Sequence, residues 1–166
     1  MIFVTVGTEL PFDRLIKTID RWAIESDRSD VFAQIGIGGW EPKYLQFDHF
    51  LESAEFAERF DSADVIIAHA GMGTILSALQ RAKPILIMPR RSSLDEQRND
   101  HQLATARRFF EMGTVTVAFD EAELRLKLDR VGELTAHERI GPFASEALQS
   151  VIRNFIWSGD PTDGEL

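Results

Sequence analysis

The chain has 166 residues, of which 44% are apolar and 27% charged, the composition of one globular domain with its own hydrophobic core. Its formal net charge of −9 argues against nonspecific nucleic-acid binding, which relies on an excess of lysine and arginine. The absence of cysteine excludes disulfides and thiolate zinc sites. No apolar run approaches the ~20 residues of a membrane helix, and the opening MIFVTVGT is expected to be a buried strand rather than a signal peptide.

Short apolar runs alternate with amphipathic segments along the chain. Strands are predicted at residues 2–6, 31–35, 44–47, 65–68, 84–88 and 115–118. Helices are predicted at residues 11–25, 53–60, 74–81, 96–112, 120–129 and 143–157. This alternation predicts an α/β fold, with a mostly parallel, Rossmann-like sheet that carries helices on both faces. We expect one domain over residues 1–157 and a flexible acidic tail at residues 158–166.

Two glycine-containing loops follow predicted strands, at the edge where open parallel sheets bind their ligands. In HAGMGT, Gly71 and Gly73 allow a sharp turn, and Thr74 can cap the following helix. The N–H groups at a helix N-terminus attract phosphate, so this loop is a candidate diphosphate cradle. A bare glycine pair is equally typical of a tight strand-to-helix turn. Gly7 and Thr8 form the second loop, which is expected to grip the same phosphate group.

Other nucleotide-binding motifs fit less well. A dinucleotide fingerprint needs a third glycine where this chain has Leu76, but Arg90 and Arg91 end the next strand and suit a 2′-phosphate. An NADP site therefore stays an alternative. A P-loop is excluded, because no Gly-Lys-Ser/Thr follows either glycine loop.

Polar side chains with catalytic potential are few. His69 follows a predicted buried strand and is expected near the glycine turn. His101 and Gln102 lie near the start of a predicted helix, where either side chain can form a hydrogen bond with a sugar hydroxyl. No histidine has companions at metal-ligand spacing, so no metal site is expected. A serine nucleophile elbow of the type G-x-S-x-G is also missing.

Four segments, FVTVGT, ADVIIAHAGMGTILSAL, KPILIMPRR and NDHQLATA, resemble in order and spacing the C-terminal half of family 28 glycosyltransferases. The similarity covers about residues 1–155 and is strongest to short split subunits, such as those of two-part dolichol-linked N-acetylglucosaminyltransferases and of bacterial exopolysaccharide loci. It implies one half of a GT-B glycosyltransferase that binds a UDP-sugar as donor substrate, with no cofactor or metal. It also implies a membrane-associated partner subunit, which binds the lipid-linked acceptor, supplies the general base and holds this cytoplasmic chain at the membrane face.

The same resemblance implies roles for individual residues. It assigns the donor diphosphate to the two glycine loops, at Gly7, Thr8, Gly71, Met72, Gly73 and Thr74. Phe56 falls where the family places a hydrophobic residue near uracil, and His101 and Gln102 match the pair that contacts the donor sugar. Many relatives hold the ribose hydroxyls with a glutamate. That position here is Ser77, which can give a hydrogen bond but no charged bidentate contact.

The remaining predictions concern charge and docking. Arg90 and Arg91 are expected to stabilise the leaving diphosphate or to pair with the carboxylate of a glucuronate donor. A split subunit also needs an apolar docking surface, for which Phe155, Ile156 and Trp157 are candidates, with ordinary core packing as the alternative. A nonenzymatic module that binds a nucleotide or braces a membrane partner is the second functional hypothesis.

Overall fold

A parallel sheet of six strands organises residues 1–136, the part of the chain that the computed structural model describes. The strands are β1 (Ile2–Thr5), β2 (Val31–Gln34), β3 (Gln46–Asp48), β4 (Val65–His69), β5 (Ile85–Met88) and β6 (Thr116–Val117). The helices are α1 (Asp13–Glu25), α2 (Ser53–Ser62), α3 (Met72–Gln80), α4 (His101–Met112) and α5 (Glu121–Leu128), with 3-10 turns at Ser92–Leu94 and Val131–Glu133. The predicted helix at 143–157, with its candidate docking residues, and the predicted tail at 158–166 lie outside the described residues.

The strand order is β3-β2-β1-β4-β5-β6, and every neighbouring pair is parallel. This arrangement confirms the predicted α/β, Rossmann-like class. All carboxyl ends of the strands therefore meet at one edge of the sheet, and the loops that leave that edge lie side by side.

Both faces of the sheet are covered by helices, which explains why its central strands are continuous apolar runs rather than alternating ones. Ile2 and Val4 of β1 pack in the cluster that α1 and α5 cover. Phe3, between them, points to the opposite cluster, which α2, α3 and α4 cover. Successive strand side chains thus anchor opposite helical layers.

The crossover from β2 to β3 contains no helix, and a buried carboxylate of α1 holds it in place. Asp20, 3% exposed, accepts hydrogen bonds from the main-chain N–H groups of Lys43, Tyr44 and Leu45 at 3.2, 2.9 and 3.0 Å. Those N–H groups cannot also join the sheet. The third strand therefore begins at Gln46, and the predicted start at residue 44 is wrong.

The predicted helix over 96–112 begins later, at His101, because side chains hold the preceding segment as a loop. The Glu96 carboxylate accepts from the Arg91 N–H at 2.9 Å. The Asp100 carboxylate accepts from both the N–H and the hydroxyl of Ser92. The helix ends where predicted, at Gly113, which takes a left-handed conformation.

Candidate functional site

A cleft of about 500 Å³ opens at the carboxyl edge of the sheet, between the loops that follow β1, β3, β4 and β5. It brings together most of the predicted site residues, which are Gly7, Thr8, Phe56, Gly71, Gly73, Thr74, Arg90 and Gln102. A larger cavity of about 840 Å³ runs along α1 and α5 and contains none of them. The smaller cleft is therefore the candidate site.

The N-terminus of α3 forms one wall of this cleft. Gly71 is the N-cap residue, with extended backbone and no side-chain cap. Within residues 1–136, no protein oxygen accepts a hydrogen bond from the N–H groups of residues 71–74. Unpaired N–H groups at the positive end of a helix dipole are an anion-binding arrangement. This wall can therefore hold the oxygens of a phosphate ester.

His69, the last residue of β4, lies behind both glycine loops, as its position after the strand predicts. A Cβ atom at Gly71 would stand 2.1 Å from its Nε2, and a Cβ atom at Gly7 would stand 2.7 Å from its Cε1. Burial, and then the charge of Arg90, lower the pKa of His69 from 6.5 to about 4, an effect that the main chain of Thr5 only partly offsets. The imidazole is therefore neutral at neutral pH and fills the space that two absent side chains leave.

The first glycine loop is shaped by a hydrogen-bond chain inside the sheet edge. Gly7 has φ +79, which favours glycine, and its N–H donates to the Thr5 hydroxyl at 3.2 Å. That buried hydroxyl donates in turn to the side-chain oxygen of Gln34 at 3.0 Å. The Gly7 N–H is thus already bonded within the protein, and the exposed Thr8 lies next to it on the cleft wall.

Arg90 and Gln102 close the cleft on the β5 side. Arg90 is 2% exposed, and Nη2 of its guanidinium donates to the carbonyl oxygens of Val6, at 2.8 Å, and Leu10. Burial lowers the pKa of Arg90 to about 10, so the group stays charged at neutral pH. The Gln102 side-chain oxygen accepts from the Arg90 N–H at 3.2 Å, which leaves its NH₂ group available to a ligand.

Four predicted site residues do not line the cleft. The side chain of Met72 is half exposed at the start of α3, and Ser77 lies one turn further along that helix. The guanidinium of Arg91 donates to the carbonyl of Phe119 and borders a separate cavity. His101 is exposed at the start of α4, where its N–H bonds the side-chain oxygen of Asn99.

The far end of the cleft is apolar. Phe56 packs edge-on against Phe3 at a centroid distance of 5.4 Å, and the half-exposed Phe50 lies on the same wall. This end can receive a flat aromatic base. Sequence reasoning missed Phe50 and Gln34. The signal available in the sequence for Phe50 was an aromatic residue just before the predicted helix at 53–60, whereas Gln34 looked like an ordinary strand residue.

Among residues 1–136, the His, Asp and Glu side chains form no group of three or more that could hold a metal ion. In the same part of the chain, no helix is long and apolar enough to cross a membrane.

The chain matches the family model of the glycosyltransferase family 28 C-terminal domain over residues 1–138. A human relative, UDP-N-acetylglucosamine transferase subunit ALG13, is 30% identical over 122 residues, which are 68% of this chain and 10% of the relative. The NMR solution structure of an ALG13 has a TM-score of 0.57 at 20% identity, over 91% of this chain and 93% of that one. The crystal structure of the glycotransferase of kitacinnamycin has a TM-score of 0.56 at 18% identity, over 78% of this chain and 34% of that one. This chain thus spans about a tenth of the length of the human relative. Its own fold is similar to the folds of both solved structures.

Proposed function

Because the chain belongs to the glycosyltransferase family 28 C-terminal domain family, we propose that it is the UDP-sugar-binding subunit of a two-component inverting glycosyltransferase. The acceptor would be lipid-linked, in exopolysaccharide or glycolipid synthesis. The observation that carries the proposal is the set of unpaired N–H groups at residues 71–74, which face a cleft with an apolar far end. The name of the human relative, a UDP-N-acetylglucosamine transferase subunit, supports both a sugar nucleotide and a divided enzyme.

We propose one direction for the donor in the cleft. Its diphosphate lies against the N–H groups of residues 71–74, with Thr8 on the opposite wall. Its uracil ring lies on Phe56 and Phe50, because stacking needs flat apolar surface. The sugar then extends toward the free NH₂ group of Gln102. In this placement Met72 contributes its main chain, while His101 and Ser77 lie outside the lining of the cleft.

The chemistry is displacement at the anomeric carbon. An acceptor hydroxyl attacks that carbon from the face opposite UDP, the bond to the diphosphate breaks, and the configuration inverts. Negative charge grows on the leaving diphosphate. The helix N–H groups stabilise this charge through preorganised dipoles. We assign the general base that removes the hydroxyl proton to the partner subunit.

A partner is also favoured by exposed apolar side chains at the carboxyl edge of the sheet. They lie on the segments that follow strands β1 to β5, at Leu10, Ile37, Phe50, Met72 and Leu94. Exposed apolar side chains at one edge of a domain favour a docking site there. A membrane-associated, acceptor-binding subunit seated on this edge would cover the cleft and hold the chain at the cytoplasmic face of the membrane.

The test is calorimetric titration of the chain with UDP, followed by transfer assays with the protein of the adjacent reading frame. We expect UDP to bind the chain and turnover to need both proteins. A nonenzymatic bracing subunit would leave the UDP titration flat, and an NADP-binding protein would respond to NADP instead. Either result would reject the proposal. Comparing UDP-N-acetylglucosamine, UDP-glucose, UDP-galactose and UDP-glucuronate would identify the donor sugar.

A further inference from the structure

Arg90 connects two loops that are distant in sequence. Its guanidinium is buried and donates to the carbonyl oxygens of Val6 and Leu10, which lie just before and just after the segment 7–9. The same group lies over the ring of Phe12, 5.1 Å from its centroid. A single cation thus holds both ends of the loop that carries Gly7 and Thr8.

The main chain of Arg90 is itself held on both sides. The Pro89 carbonyl accepts from the Arg14 guanidinium at 3.1 Å. The Arg90 N–H donates to Gln102 at 3.2 Å, and the next N–H along the chain donates to Glu96 at 2.9 Å. Three successive residues are therefore fixed by three different side chains. Because these contacts fix the segment, the Arg90 guanidinium has a defined position. The carbonyl groups that it contacts are therefore held in place as well.

We infer that Arg90 is a positioning residue that holds the loop 7–10 at a fixed distance from the N-terminus of α3, so that the donor diphosphate fits between them. The inference rests on the proposed function. It gives Arg90 a role toward the protein rather than toward the donor, because Nη2 of its guanidinium already donates to two carbonyl oxygens of the loop. A diphosphate bound between two loops gains affinity when the loops need no ordering on binding.

A positioning residue and a residue that contacts the donor differ in their expected effects on affinity. A guanidinium that pairs with a donor carboxylate would change the affinity for UDP-glucuronate and not the affinity for UDP. One that touches the diphosphate directly would matter for every donor but would leave the empty loop unchanged. A positioning residue affects every donor equally and also the empty loop.

The experiment compares the full-length chain with Arg90→Met, Arg90→Lys and the control Lys83→Met. Lys83 is a suitable control because its ammonium also donates to two carbonyl oxygens, of Asp61 and Ala63, but at the opposite edge of the sheet. Amide hydrogen exchange is followed in the ligand-free proteins, and UDP, UDP-glucose and UDP-glucuronate are titrated by calorimetry.

We expect Arg90→Met to accelerate exchange at residues 7–10 and to weaken all three ligands by the same factor, tenfold or more. Arg90→Lys should restore part of both effects, and Lys83→Met should show neither. A loss confined to UDP-glucuronate, a loss of affinity with unchanged exchange, or faster exchange with unchanged affinity would each overturn the inference.

The two proposals fail in different ways. A wild-type chain that binds no UDP rejects the donor-binding function, and it rejects with it the role of Arg90 in donor binding. A wild-type chain that binds UDP, with an Arg90→Met variant that binds it equally well, rejects only the positioning role. Unchanged amide exchange in the strands of the sheet shows that the variant is folded, and in the folded variant loss of the cation should raise the pKa of His69, as followed by NMR.

Discussion

The Cα of Gly71 lies so close to the imidazole of His69 that a methyl group on it would stand 2.1 Å from Nε2. Real Cβ atoms essentially never approach another atom within 3.0 Å. The ring cannot simply swing away, because His69 is 9% exposed and Gly7 closes its other side. Gly71, with φ −84, is thus required by this close approach and not by its own backbone angles.

Substitution of Gly71 by alanine should therefore destabilise the protein by about 2 kcal/mol, the usual cost of forcing an extra methyl group into a packed site. The N–H groups of residues 71–74 should move with it, and UDP affinity should fall. Gly73→Ala is the matched control. A Cβ there meets nothing within 4 Å, and alanine at this position in α3 should add up to about 1 kcal/mol of stability. Urea unfolding of both variants measures the difference. Equal stabilities would show that His69 yields to the methyl group.

The sheet was predictable from sequence because buried parallel strands form continuous apolar runs, such as β4 and β5, whatever surrounds them. The contacts of Arg90 were not predictable. Its partners are the main-chain carbonyl groups of Val6 and Leu10, which are more than 75 residues away. Every residue has such a carbonyl group, so the sequence does not indicate which ones are bonded. The start of α4 was missed because Glu96 and Asp100 accept from the N–H groups of Arg91 and Ser92, and Arg14 holds Glu96 from 82 residues away. The local sequence pattern predicts where the loops of the cleft lie. It does not predict which atoms of those loops form hydrogen bonds with one another.

The neutral state of His69 makes stability depend on pH. Its pKa is about 4 in the folded chain and 6.5 ordinarily, so between these values the unfolded chain binds a proton that the folded chain does not. The free energy of unfolding should therefore fall as pH drops, by about 2 kcal/mol between pH 7.5 and pH 5. Denaturant unfolding across this range measures the slope. His69→Asn removes the titrating group and should flatten the curve. A variant with the same slope as the parent would assign the pH dependence to other groups.

Two phenylalanines at the apolar end of the cleft should separate binding from stability. Phe50 is 49% exposed, so Phe50→Ala should change stability by less than about 0.5 kcal/mol. It should nevertheless weaken UDP by tenfold or so, since stacking on a base is worth about 1–3 kcal/mol. Phe56 packs against Phe3 and Phe60, so Phe56→Ala should lower both stability and UDP affinity.

Inorganic pyrophosphate is the matched ligand for this comparison, because it lacks the base. Its affinity should be the same for the parent chain and for Phe50→Ala, whereas UDP affinity should differ between them. If Phe50→Ala lowers the affinity for both ligands by the same factor, the aromatic ring lies near the phosphates. The proposed direction of the donor in the cleft would then be reversed.

The ion pair of Arg14 and Glu96 anchors the segment that carries Arg90. The guanidinium donates to the carboxylate at 2.7 and 2.8 Å, and their side chains are only 11% and 13% exposed. Glu96→Gln removes the charge of the carboxylate and leaves the mostly buried Arg14 guanidinium without its main ionic partner, at a cost of about 1–3 kcal/mol. Glu55→Gln is the control, because its pairing with Arg59 is exposed and such a pair contributes about 0.3–0.5 kcal/mol. Urea unfolding should rank the two variants in that order. If Glu96→Gln costs no more than the control, the segment is held by Gln102 and the Arg90 guanidinium, and its ion pair with α1 is incidental.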